Sequence, residues 1–143
     1  MGFLDSLLNG NDSASGVTAE NEGNPLKLMV SFLPVRLTAM KENKISMLVK
    51  LTNLTDQEQM VSLDILLPKN GMVGFEPTCI TKHGEKKLGK IAAGETKEIS
   101  IPIYGTNQTK PATYPFKVVA YLHYLDYEKV LNQVSKMGEL RVV

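Results

Sequence analysis

The stretch TKEISIPI, residues 96–103, decides the fold class. Ile99, Ile101 and Ile103 fall on one side of an extended chain, and Glu98, Ser100 and Pro102 fall on the other. A period of two means one buried face and one wet face, which is the habit of antiparallel sheets. Working outward, residues 45–51 place Ile45, Met47, Val49 and Leu51 on one face against Ser46, Leu48 and Lys50. Residues 60–67 do the same with Val61, Leu63, Ile65 and Leu67. Residues 26–33 (Leu26, Leu28, Val30, Phe32) and 116–124 (Phe116, Val118, Ala120, Leu122, Tyr124) repeat the pattern. Between these runs stand LTDQEQ, PKNGMVG, KHGEK, AAGET and GTNQTKPA, whose Gly and Pro residues supply the backbone angles of turns. Pro102 cannot donate a ladder hydrogen bond, so its strand or strand end belongs at a sheet edge.

The rest of the chain is bounded by composition. In 143 residues, 43% are hydrophobic and 22% charged, ordinary values for one globular domain. A net charge of +1 lacks the basic footprint of a nucleic-acid binder. One cysteine cannot form an internal disulfide or a Cys-based zinc cage. No apolar run approaches the roughly 20 residues of a membrane-spanning helix. The start has neither the basic region nor the apolar core of a secretory signal. The expected setting is therefore a reducing cytoplasmic compartment, or the membrane surface facing it.

Composition shifts near Pro25. Residues 10–24, GNDSASGVTAENEGN, contain a single branched aliphatic, Val17, and cannot bury enough apolar area to offset the entropy of ordering. Residues 1–24 carry Asp5, Asp12, Glu20 and Glu22 without Lys or Arg, a formal −4 that leaves +5 on the remainder. Ahead of this acidic linker, Phe3, Leu4, Leu7 and Leu8 gather on one face of a short amphipathic helix. A helix under about 12 residues is marginal alone in water, so this one requires a surface to form against. The expected division is a peptide and linker over 1–24 and a β domain over 25–143.

Two readings stay open for residues 126–134. Tyr127, Val130, Leu131 and Val134 have helical spacing behind Asp126 as a cap. The same residues equally suit a long loop leading into a last strand at 139–143.

The runs 49–68, 88–103 and 112–122 resemble immunoglobulin-like sandwich modules of the CARDB/NEW3 type. The matching positions are Val49, Leu51 and Asn53; Ala93, Gly94 and Glu95; and Tyr114, Phe116 and Val118, with Ala112 where the family has Gly. The resemblance implies an all-β, immunoglobulin-like antiparallel β-sandwich of about seven strands and is silent on activity. Tyr114 suits a tyrosine corner, Asn53 a strand-end turn, and Gly94 a positive φ.

No catalytic, cofactor-binding or metal-ligating set stands out. Cys79 and His83 form a C-x-x-x-H spacing and His123 lies far along the chain, short of the convergent ligands a metal needs. Cys79 reads as a small buried apolar side chain. The lysines of residues 82–90 could meet an anionic partner, such as the acidic tether of another copy. A solvated hairpin guarding a sheet edge is the plainer and preferred account. Tyr121, His123, Tyr124 and Tyr127 form the densest aromatic group; without tryptophan it argues against carbohydrate stacking. An exposed Tyr121/His123 face suits a protein partner. The sequence thus describes a non-enzymatic protein-interaction or adaptor module, binding through that face and through Phe3, Leu4, Leu7 and Leu8. A peripheral membrane protein using the same peptide as an anchor is the alternative, opposed by Asp5 and the lack of basic residues. A structural subunit that self-associates through its sheet edges is a third.

Overall fold

The computed structural model describes residues 24–143, and the expected N-terminal helix and linker lie outside them. Eight strands follow in order: β1 (Leu26–Leu33), β2 (Asn43–Asn53), β3 (Gln59–Leu66), β4 (Val73–Gly74), β5 (His83–Ile91), β6 (Thr96–Gly105), β7 (Ala112–His123) and β8 (Val130–Val142). They form two four-stranded sheets, β1-β2-β6-β4 and β5-β3-β7-β8. All strand pairs are antiparallel.

The register explains why the alternating runs are buried as they are. Met47 stands opposite Ile101, Val49 opposite Ile99, and both pairs turn inward with Leu51 and Ile103. From the other sheet, Val61, Leu63, Ile65, Val118, Ala120 and Leu122 meet them. Phe32 of β1 meets Phe116 of β7 edge-on at 5.4 Å and 86°, which ties the two sheets across the core. Pro102 pairs with Ser46 on one side, while β4 flanks β6 only at Tyr104 and Gly105. The proline therefore occupies a length of β6 with one neighbour, as its missing N–H requires.

Residues 126–134 are neither helix nor long loop. The chain bends at 124–126, turns, and enters β8 at Val130, much earlier than residue 139. Nine residues with an apolar stripe are too few to hold a helix against a neighbouring strand that offers continuous pairing from Ala112 to His123. KHGEK is likewise not a turn. It opens β5, an edge strand that carries Lys86, Lys87 and Lys90, so the lysines do line a sheet edge. At the opposite edge, the 37–39 segment bonds to the end of β8: Leu37 N to Arg141 O (3.0 Å) and Val143 N to Leu37 O (3.0 Å).

At Gly94 and Tyr114 the turn chemistry is that of the sequence expectation. Gly94 has φ +75°. Tyr114 Oη donates to Lys110 O at 2.9 Å, the tyrosine-corner bond. Tyr114→Phe is expected to cost about 1 kcal/mol, or roughly 3–5 °C in Tm, measured by thermal denaturation. An unchanged Tm would show that water replaces this bond without loss.

A candidate interaction face and cleft on the second sheet

The outer face of β5-β3-β7-β8 is not a plain wet surface. Ser62, Val119 and His123 point outward yet are 4%, 4% and 6% exposed. Ser62 Oγ and His123 Nε2 are 2.7 Å apart. Tyr127, from the β7–β8 connection, sets its ring edge-on to His123 with centroids 5.1 Å apart, and accepts a 2.9 Å bond from Gly89 N through Oη. Lys87 Nζ lies 5.2 Å from the Tyr127 ring centre. One aromatic side chain thus roofs the histidine and clips the hairpin onto β5. Tyr121 remains half-buried beside it. Burial, then the Asp64 carboxylate, pushes the Tyr121 hydroxyl above its ordinary pKa. Asp64 also approaches His83 Nε2 at 3.5 Å.

The expected exposed Tyr121/His123 face is corrected at His123, which Tyr127 covers. The signal that could have shown this is the roofing tyrosine four residues on, but only a bend after His123 brings it back. Phe3, Leu4, Leu7 and Leu8 lie outside the described residues. Ser62 and His123 have the spacing of a nucleophile and its base, yet the other ring nitrogen, Nδ1, is buried with no hydrogen-bond partner. An activated serine needs an oriented base and an open approach, and neither is built here.

Beside this roofed histidine lies a cleft of about 590 Å³, with Gln57, Met60, Lys90, His123, Leu125 and Leu131 among its walls. Part of its rim is apolar: Tyr124, Leu125 and Leu131 are 53%, 70% and 61% exposed, and Val130, next to Leu131 at the start of β8, is 52% exposed. Leu125 holds φ +70°, a conformation that non-glycine residues rarely adopt. The hairpin that imposes it is well bonded: Tyr124 N to Lys129 O (2.8 Å), Asp126 N to Tyr124 O (2.8 Å) and Glu128 N to Asp126 Oδ1 (3.0 Å). Strain of this kind persists where surroundings over-determine it and gathers at binding sites. Sequence reasoning passed over this rim because the helix and loop readings of 126–134 both hide it. The usable signal was Tyr124-Leu125 and Val130-Leu131 bracketing a polar DYEK turn.

Cys79 and His123 belong to opposite sides of the molecule. Cys79 is buried at φ +57°, and its thiol donates to Tyr104 O at 3.2 Å. Burial pushes the thiol pKa up, which keeps it protonated. Among the described residues no three His, Cys, Asp or Glu side chains converge to hold a metal. Among them, too, no helix is long and apolar enough to cross a membrane.

No protein-family model matches the chain, and no curated protein sequence matches it. Solved structures share its fold. A FixG-related protein from Vibrio parahaemolyticus superposes with a TM-score of 0.55 at 15% identity, over 83% of this chain and 97% of its own. The CARDB domain of a Pyrococcus furiosus protein, solved in complex with di-metal ions, gives 0.50 at 10% identity, over 82% and 85%. A Salmonella alpha-2-macroglobulin gives 0.53 at 15% identity over 83% of this chain, which spans only 7% of that protein. The described residues therefore have the fold of a CARDB-type, immunoglobulin-like module.

Proposed function

We propose that this chain is a non-enzymatic protein-interaction module that binds its partner at the cleft beside the β7–β8 hairpin. The observation that carries the reading is the set of Tyr124, Leu125 and Leu131, three large side chains more than half exposed on the wall of one cleft. Single exposed apolar residues need no explanation, whereas a clustered set rimmed by polar groups marks a contact surface. Gln57, Glu58 and Lys90 supply that polar rim. Tyr121 extends the surface along β7.

The test is a paired capture from the native host with the wild-type chain and a Leu125→Asn/Leu131→Glu variant. Asn tolerates the left-handed φ at 125, and both side chains are exposed, so the variant should fold. Burying one leucine is worth about 1.5–3 kcal/mol, so the variant is expected to retain less than about a tenth of the partner. Equal recovery by both chains would remove the cleft from the interaction. Flotation of the wild-type chain with protein-free liposomes would assign the surface to lipid instead.

A further inference from the structure

We propose that this cleft is the docking site of the chain's own N-terminal segment, with Phe3, Leu4, Leu7 and Leu8 seated intramolecularly against Met60, Leu125 and Leu131. The inference rests on the cleft being an interaction surface, and it names the first occupant of that surface.

The point of entry of the chain favours it. Pro25 O accepts from Leu54 N at 2.9 Å, so the N-terminal segment leaves the sandwich beside the turn that follows β2. Three residues further along, Gln57 is already part of the cleft wall. That separation is at most about 11 Å along the backbone. The turn is also fixed, since Gln57 O accepts from Asn53 Nδ2 and Thr55 Oγ1, both at 2.8 Å.

Length favours it as well. Residues 9–24, rich in Gly, Ser and Asn, connect Leu8 to Pro25. Sixteen such residues have a root-mean-square span of about 20–24 Å, ample for the distance to the cleft. A tether this short holds its end at an effective concentration on the order of millimolar, so even weak apolar contacts would be occupied.

The chemistry of the two surfaces is complementary. The segment brings four large apolar side chains and a formal charge of −4 over residues 1–24. The cleft offers an apolar rim with Lys90 in its wall, and Lys86 and Lys87 follow along the same edge strand against Glu58. Docking in this way would make the segment a built-in competitor, and the apparent affinity of an outside partner would fall with the fraction of clefts it leaves free.

The test is amide chemical-shift comparison of the full-length chain with its Phe3→Ser/Leu4→Ser/Leu7→Ser/Leu8→Ser variant. Core amides such as Val49 and Val118 should coincide, which shows that both chains are folded. The expected result is displaced signals at Gln57, Lys90, Leu125 and Leu131, unchanged over a tenfold dilution. Differences confined to residues 1–12 would overturn the proposal. So would cleft displacements that fade on dilution, which would place the segment on a second copy. The capture experiment with Leu125→Asn/Leu131→Glu reads the surface itself. Partner loss there, with no cleft displacement here, would overturn the occupant and leave the surface standing.

Discussion

Replacing Asn53 with alanine is expected to lower the unfolding free energy by about 3–5 kcal/mol and the Tm by roughly 10–15 °C. The side chain is fully buried at the end of β2. Its Nδ2 donates to Gln57 O (2.8 Å) and Ile91 O (2.9 Å), with Ala92 O a longer third acceptor at 3.2 Å. Its Oδ1 accepts from Thr55 N (2.9 Å) and Thr55 Oγ1 (2.7 Å). The main chain is held separately, Asn53 N to Glu95 O and Gly94 N to Asn53 O, both at 2.9 Å. One amide thus satisfies the turn after β2 and the start of the turn that carries the chain from β5 in one sheet to β6 in the other. Alanine would strand two or three backbone groups, each costing about 1–3 kcal/mol when buried. Asn53→Asp separates hydrogen bonding from shape. Its carboxylate would face carbonyl oxygens in a buried site, raising its pKa, so its deficit should shrink as pH falls and the protonated form can donate. Urea denaturation of both variants measures this. A loss below about 1 kcal/mol for Asn53→Ala would mean that water fills the vacated positions.

The same residue shows what sequence reading can and cannot reach. Asn53 is recognisable as a strand-end residue from its neighbours, but its role between sheets depends on Ile91 and Ala92, nearly forty positions away. The strands β2, β3 and β6 are legible because each has one face on the core, and burial writes a period of two into the sequence. β5 reads as HGEKKLGKI because an edge strand needs charge to stay unpaired, and charge masks alternation. β8 is illegible over 130–138 for a related reason: its first four residues are all exposed, so nothing selects an apolar period. His123 illustrates the reverse case. Its outward position on β7 follows from the register, whereas its burial follows from a roof delivered by Tyr127, whose place four residues on tells nothing until the chain bends back.

Gly74→Ala is expected to destabilise by about 3 kcal/mol or more, while Gly84→Ala should stay within about 1 kcal/mol of wild type. A Cβ at 74 would sit 2.5 Å from Cys79 Cα and 2.9 Å from Cys79 C. Those are backbone atoms, and the backbone there is fixed from several sides. Cys79 N donates to Glu76 O at 2.9 Å. The Glu76 carboxylate accepts from Ile80 N (2.8 Å) and Thr81 N (3.0 Å), bonds that also hold its pKa below the usual carboxylate value, those to Thr81 foremost. Lys82 Nζ donates to the carbonyls of Gly71 and Val73, closing the loop from its other end. Cys79 itself is at φ +57° and anchors to Tyr104 O, so it cannot retreat without giving up both contacts. Gly84 lies on the edge strand, where the nearest atoms to an added Cβ belong to the Phe75 ring at 3.6 Å, ordinary contact. The two substitutions carry the same change in chain entropy, so the difference between their urea midpoints isolates the clash. Amide exchange locates it: Ile80 and Thr81 should lose protection in Gly74→Ala and keep it in Gly84→Ala. Equal midpoints would mean that the 75–82 loop moves freely against β4, and that its dense bonding does not fix the position of Cys79.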